Sequence, residues 1–285
     1  MNETINVLLN RSSVRSYLDK PIEKEVVESI LETGLKAASA GNLQPLSIIK
    51  IEDKDNAKWF VDQKMQKFIQ DAPLNLLFCL DFNRLKRWAK LNKAPFVMDK
   101  SILHFWVGFQ DVIIAAQSIE TAANAYGVGS VYIGTTIDVI PEIQEKFKLP
   151  KGVIPVVLLT MGYPKNDRVI ANKLSQDIVV HNEEYQNHTD EFIQQEYYRK
   201  YGDPKLTINE ERLEQILQVV KEVDGDEAVN EVRKHFENET KVNPAMRYFG
   251  LHYVANQMAR YNKEVLDILA KNGLLWAEGK NYPDN

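Results

Sequence analysis

Three short stretches of this chain hold residue types that could do chemistry, each mixing polar groups with small or apolar ones. The first is Arg11-Ser12-Ser13-Val14-Arg15. In extended backbone side chains alternate, so Arg11, Ser13 and Arg15 would point to one face. Two guanidiniums and a hydroxyl on one side can grip a phosphate through bidentate, charge-assisted bonds. A solvated basic stretch is the plainer reading of the same five residues. The second stretch, Ala38-Ser39-Ala40-Gly41-Asn42-Leu43-Gln44-Pro45, lies between a helical period and a strand-like run. Its small residues let backbone approach a flat ligand, and the Asn and Gln amides can pair with a ring that both donates and accepts. It also reads as a helix stop with a turn proline. The third is Tyr126-Gly127-Val128-Gly129-Ser130-Val131-Tyr132-Ile133-Gly134. Its Gly-x-Gly follows a helix and precedes a strand, the reverse of a dinucleotide fingerprint, so that reading is rejected. What is left is a helix stop, a buried strand, and a glycine beyond it where something can approach the backbone.

Other candidates fall away. The five histidines (His104, His181, His188, His235 and His252) are scattered and read as surface or core residues, so no metal site is expected. Cys79, the one cysteine, sits in an apolar run and reads as a buried small hydrophobe; alone it excludes an internal disulfide. Neither a Gly-x-Ser-x-Gly elbow nor a Walker-type phosphate loop is present, which leaves hydrolase and NTPase readings without a motif. Asp71, Asp81 and Asp99 stand at element borders, where capping is the usual task.

The elements that must position these stretches are legible from periodicity. Val26, Val27, Ile30, Leu31 and Leu35 predict a helix from about 21 to 38. Strands are expected at Leu46–Ile51, Leu74–Leu80, Ser130–Ile133 and Ile154–Met161. Ser101 to Tyr126 predicts a long helix, apolar around most of its circumference, which implies burial on most sides and a dimer interface. Helices are expected again at Glu191–Tyr201, Glu210–Val223, Glu227–Asn238 and Pro244–Asn272.

Length and charge agree with this order. The chain has 285 residues, 44% apolar and 26% charged, an ordinary globular balance that fits one large domain or a domain with an appendage. Its formal charge of −5 argues against wholesale nucleic-acid binding. The charge is unevenly spread: 22 Lys and Arg face 20 Asp and Glu through His181, whereas 13 face 20 from Asn182 onward. All the net negative charge therefore lies in the C-terminal third, which predicts a boundary between about 181 and 189. The acidic N-terminal run is too short and polar for a secretory signal, so the expected location is the cytoplasm, with no membrane partner.

Taken in order, these stretches resemble the FMN-dependent nitroreductase family over about residues 3–185. The resemblance is carried by RSSVRSY before Pro21, by ASAGNLQP before a strand, and by Asp71-Ala72-Pro73 opening another. It continues through Asp111 and IETAANAYGVGSVYIG to VVLLTMGYP and a basic, strand-like return to His181. The family has a proline where this chain has Ala38 and a tryptophan where it has Leu46. The resemblance implies an α+β fold: a mostly antiparallel sheet flanked by helices, in an intertwined homodimer with two FMN sites, here with an all-helical C-terminal extension. Residues 1–185 would form the FMN-binding domain and 186–285 the acidic extension. Arg11, Ser13 and Arg15, with Ser12 adjacent, would hold the phosphate and ribityl chain. Ser39, Ala40, Gly41, Asn42 and Gln44 would reach the flavin from the other subunit, and Ile133 and Gly134 would lie against its ring. The family's late basic residue near the phosphate best matches Lys173, with Arg168 as the other candidate. Tyr248, Phe249, Tyr253 and Trp276 would be stacking residues if the extension covers the flavin.

The implied activity is hydride transfer from NAD(P)H to FMN and on to a small flat acceptor such as a nitroaromatic or quinone. The flavin carries that chemistry, so no catalytic side chain is required. Two alternatives share the fold: a specialised flavoenzyme such as a reductive dehalogenase or dehydrogenase, and a non-catalytic flavin-binding protein whose acidic tail engages a partner.

Overall fold

Four apolar runs become the four strands of one sheet. In the computed structural model, which describes residues 2–279, they are β1 (Leu46–Ile51), β2 (Leu74–Asp81), β3 (Gly129–Ile133) and β4 (Val153–Gly162). Their order is β1-β2-β4-β3, every neighbouring pair antiparallel, as expected for the α+β class. All eight residues of β2 are buried, because helices cover both faces of the sheet. Pro155 lies inside β4, where a proline removes a ladder donor, and the register with β2 shifts there, between Phe78 and Cys79.

One face of the sheet meets the long helix Ile102–Ala125, which Ser101 caps by accepting the His104 N–H at 3.3 Å. Val112, Ala115, Ala116, Ile119 and Ala123 form its buried stripe. The helix Lys24–Leu35 lies beside it so closely that a Cβ on Gly34 would stand 2.5 Å from Ile119 Cδ1. The periodicity of the long helix is therefore right, but its burial is partial. Ile102, Leu103, Trp106, Phe109 and Ile114 are exposed. By length and composition alone this helix could also cross a membrane.

The opposite face packs on a second cluster that includes Phe60, Met65, Ile69 and Ile143. These come from the short helices Lys54–Asp62, Phe68–Asp71 and Ile140–Lys146 and from the turn after Lys54–Asp62, none of which the periodicity announced. Cys79 lies among them, and burial pushes its thiol up to about 12, so it is inert as a nucleophile. Asp81 caps the helix Phe82–Leu91 by accepting the Arg84 N–H at 2.8 Å, the capping task expected of it.

Backbone contacts divide the chain into two compact units. The first runs to Ile170 and takes in the segment from Glu264 onward; the second is Ala171–Lys263. From Glu264 the chain contributes Leu269 and Leu274 to the first unit's main core, and Asn272 pairs its amide with that of Gln144. The second unit holds the helices Asp190–Tyr201, Glu210–Asp224 and Asp226–Asn238, close to the expected spans. It also holds a two-residue strand pair, Leu206–Thr207 with Lys241–Val242, so the C-terminal region is helical but not wholly so.

Two expectations are corrected. Residues 244–272 do not form one helix: Pro244–Met246 runs into a π-helical turn Arg247–His252, and Val254 takes φ 52, which ends it. A β-branched residue in the left-handed region interrupts the helix; a 3-10 turn Ala255–Gln257 follows, and a fresh α-helix starts only at Asn262. The basic return toward His181 is not a strand either; it is irregular, with a short helix at Gln176–Val179.

Candidate functional site

The basic segment runs along the outer edge of the sheet. Ser13 bridges to Ser130 of β3, the Val14 N–H donates to the Ser130 carbonyl at 2.9 Å, and Tyr17 bridges to Pro164. The Tyr17 hydroxyl locks the segment down, sharing 2.8 Å hydrogen bonds with the Val14 carbonyl and Thr160 Oγ1. Burial pushes its phenol up to about 12, so it stays a neutral donor. Val14 sits directly on Gly129, where a Cβ would lie 2.4 Å from Val14 Cγ2.

Extension along an edge produces the alternation that period two implies. Ser12 and Val14 are buried, Arg11 and Ser13 are half-buried, and Arg15 is exposed, so Arg11, Ser13 and Arg15 share the outward face. Arg11 donates from Nε to Glu120 Oε1 at 2.7 Å. Among the described residues its two Nη atoms have no partner, and Arg15 has neither a hydrogen bond nor an ion pair. The buried Ser12 hydroxyl also lacks a partner. Two cationic groups and the Ser13 hydroxyl on one face fit an anion such as a flavin phosphate.

Glu120 belongs to a network on the long helix. Its side chain is 1% exposed, and it also accepts from Asn124 Nδ2 at 2.9 Å and from Gln117 Nε2 at 2.9 Å. Asn124 Oδ1 accepts from a terminal nitrogen of Arg168 at 2.6 Å, and Arg168 donates from its other terminal nitrogen to the Gly127 carbonyl at 3.0 Å. Burial, reinforced by the Glu120 carboxylate, holds the Tyr132 hydroxyl well above its ordinary range. Of the two late basic residues, Arg168 joins this network. Lys173 belongs to the second unit, where its carbonyl accepts from Arg199 at 2.9 Å.

The second stretch forms a tight loop with Gly41, Asn42 and Gln44 at φ 57, 53 and 48. Such a run of left-handed backbone needs support. Asp111 supplies it, accepting the Ala40 N–H at 3.1 and 3.2 Å, while Ser39 Oγ accepts the Gln44 N–H at 3.2 Å. Gln44 turns its own amide back to the Leu35 carbonyl at 2.8 Å. Asp111 stands nine residues before Glu120 on the same helix. At about 1.5 Å and 3.6 residues per turn, that is about 13 Å along the axis and on the opposite side. Within one chain the cationic face and the loop are therefore anchored on opposite flanks of the helix.

Burial holds the Asp111 carboxyl above the usual carboxylate range, against the pull of the Ala40 N–H. A raised folded-state pKa means that ionisation costs the fold stability once pH climbs past the ordinary carboxylate value. Asp111→Asn, which keeps an acceptor for Ala40, is expected to be at least as stable as the parent at pH 7. That advantage is expected to vanish below about pH 4, where the parent carboxyl is protonated folded or unfolded. Asp111→Ala, which orphans the Ala40 N–H, is expected to cost about 1–3 kcal/mol. Urea unfolding at neutral and acid pH checks both.

At the end of β3, Ile133 is buried in the core, so only its backbone is available to a ligand. A Cβ on Gly134 would meet nothing within 4 Å, so packing in this chain does not explain the glycine. The four aromatic candidates separate. Trp276 packs on Phe105 of the first unit at 4.9 Å between ring centroids. Tyr248, Phe249 and Tyr253 line a cavity of about 720 Å³ in the second unit, with Tyr197 and Tyr201. Glu120 and Asn124 were not singled out by sequence; their one signal was an acid and an amide on the inward face of an apolar helix.

The model of the Nitroreductase family matches residues 8–163. The FMN reductase [NAD(P)H] of Bacillus subtilis (strain 168) is 33% identical over 219 residues, covering 73% of this chain and 88% of the relative. The oxygen-insensitive NADPH nitroreductase of Salmonella typhimurium is 32% identical, covering 65% and 76%. Among solved structures, NfrA2 of B. megaterium superposes with a TM-score of 0.74 at 27% identity, over 96% of this chain and 98% of that one. That likeness includes the C-terminal third. The NADPH:FMN oxidoreductase of Vibrio harveyi, solved with NAD+, has a TM-score of 0.64 at 28% identity, over 70% and 84%.

Proposed function

The chain belongs to the nitroreductase family, and on that premise we propose that it is an FMN-dependent oxidoreductase using NAD(P)H to reduce small flat acceptors such as nitroaromatics and quinones. The observation that carries the reading is the outward face of Arg11, Ser13 and Arg15, where the terminal nitrogens of Arg11 and the Arg15 guanidinium have no partner among the described residues. FMN, when bound, supplies the hydride chemistry. Everything else falls to the chain. Arg11 and Arg15 neutralise the phosphate, Ser13 offers its hydroxyl with Ser12 adjacent on the buried side, and Arg168 adds a further cation. Gly134 keeps the surface beside β3 flat enough for a ring, and the loop from Ser39 to Gln44 presents its amides to the ring edge.

A homodimer completes the site in this reading. Because the loop and the cationic face are anchored on opposite flanks of the long helix, a two-fold axis through the exposed apolar residues would set one chain's loop against its partner's cations. We infer a cytoplasmic location, where NAD(P)H is supplied.

The experiment is a spectrum followed by a reductive titration. Protein purified or reconstituted with FMN is expected to show the flavin absorbance bands. Anaerobic NADH or NADPH is expected to bleach them, and a quinone or nitroaromatic to restore them. Protein that takes up no flavin overturns the proposal outright. Bound flavin that neither nicotinamide bleaches would instead make it a flavin-binding protein without this turnover.

A further inference from the structure

We propose that Glu120 is a positioning residue for the phosphate site: its buried carboxylate presets Arg11 directly and Arg168 through the Asn124 amide. The inference rests on the reading that Arg11 meets the FMN phosphate.

The geometry separates two jobs on one guanidinium. Arginine offers five N–H donors, one on Nε and four on the terminal nitrogens. Glu120 takes the Nε donor of Arg11 and leaves the terminal fork, the part suited to bidentate phosphate binding, facing outward without a partner among the described residues. An anchor at either terminal nitrogen would consume that fork.

The same carboxylate sets a second cation. Glu120 is an acceptor only, so the Asn124 atom that faces it must be the amide nitrogen. Asn124 Oδ1 then has to point away, and it meets Arg168 at 2.6 Å. Reversing the amide would place its NH2 against a guanidinium and its oxygen against a carboxylate, two repulsive contacts. Thus one buried acid determines the direction of the amide, and the amide determines the position of Arg168. Gln117 occupies the remaining carboxylate oxygen, which closes the set around Glu120.

A packing role alone does not account for this residue. A carboxylate at 1% exposure carries a desolvation penalty that a hydrocarbon of the same volume would not. Its neighbours along the helix at one and two turns, Ala116, Ala123 and Val112, are the small apolar residues that such packing would use. Two effects on phosphate affinity compete: the negative charge of Glu120 weakens the field of Arg11, and its hydrogen bond orders the side chain. The proposal commits to ordering. Fixing a flexible interfacial side chain in advance is worth roughly 2- to 12-fold in affinity, and Glu120 orders two.

The test compares FMN with riboflavin, which has the same ring and no phosphate, on the apo form of the full chain by quenching of flavin fluorescence. Glu120→Ala is expected to weaken FMN about tenfold and riboflavin less than twofold. Glu120→Gln, which retains an acceptor for Arg11 Nε, is expected to recover most of the loss. Added to Arg11→Ala, Glu120→Ala is expected to cost less than it does in the parent. Glu120→Met fills the volume without an acceptor and is expected to show the same FMN-selective loss, which covers the case of an alanine variant that does not fold. Equal weakening of both flavins would make Glu120 merely structural, and tighter FMN binding would show that charge outweighs ordering; either overturns the proposal. If Arg11→Ala leaves FMN affinity unchanged, the phosphate reading itself fails. If Arg11→Ala weakens FMN but the Glu120 variants do not, only this inference fails.

Discussion

Trp106→Glu is expected to turn the protein into a monomer and to strip it of flavin in the same step. Trp106 is 63% exposed at the middle of a stripe that runs from Ile102 and Leu103 through Phe109 to Ile114, all exposed on one helix. Ile102, Leu103, Trp106 and Phe109 are spaced by three and four residues, and Ile114 stands eleven after Leu103, so all five fall in one broad band, and a contiguous apolar band of this kind marks an association surface. A tryptophan buries about 150–250 Å² when covered. Covering what is still exposed, at about 25 cal/mol per Å², is worth about 3 kcal/mol per copy. A two-fold interface counts the residue twice, so replacing it with a carboxylate removes about 6 kcal/mol, or about 10⁴-fold in the dimer dissociation constant. Flavin should follow, because the cationic face and the loop from Ser39 to Gln44 are anchored on opposite sides of the helix and in the proposed dimer come together only between copies. Size-exclusion chromatography with light scattering reads the first effect, and absorbance at the flavin bands reads the second. A variant that stays dimeric removes this face from the interface. A monomer that keeps its flavin shows instead that one chain suffices for the site.

How much of this could be read beforehand depended on the range of the physics involved. The strand Leu46–Ile51 was legible to the residue, because Pro45 and Glu52 bound a short run rich in leucine and isoleucine. The long helix was legible within a residue at each end, its start signalled by Ser101 and its stop by Gly127. The common face of Arg11, Ser13 and Arg15 followed from period two, since an edge strand keeps the segment extended. What was lost is what depends on distant partners. Lys54–Asp62 is a helix because Phe60 docks under the sheet with Trp59 and Val61 packed beside it, although the first half of the helix is mostly polar. The break at Val254 has no glycine or proline within three residues to announce it. Glu120 meets Arg11 across 109 positions and Asp111 meets Ala40 across 71, so no local pattern could mark either acid as an anchor. The charge split was legible by counting, yet it says nothing of packing: the segment from Glu264 returns to the first unit's core through Leu269 and Leu274.

Arg15→Ala is expected to weaken FMN binding by about 10- to 100-fold while leaving the stability of the apoprotein within about 0.5 kcal/mol of the parent. The two expectations come from the same fact. Arg15 is exposed and makes no hydrogen bond or ion pair among the described residues, so its loss orphans nothing in the fold. Arg11 is different, since its removal strands the buried Glu120 carboxylate and confounds stability with affinity. A charge-assisted hydrogen bond to a phosphate is worth about 1.5–3 kcal/mol, which converts to roughly one to two decades of affinity. Riboflavin affinity should not move, because the lost contact is to the phosphate alone, and the FMN penalty should shrink as salt is raised. Arg15→Lys should recover part of the affinity as a point charge, but not the bidentate share. Equal loss of FMN and riboflavin would assign Arg15 to the ring or to general folding, and no loss of either would remove it from the site. The comparison therefore isolates one contact with one chemical group, which turnover measurements cannot do, since they combine flavin loading, donor binding and acceptor binding in a single rate.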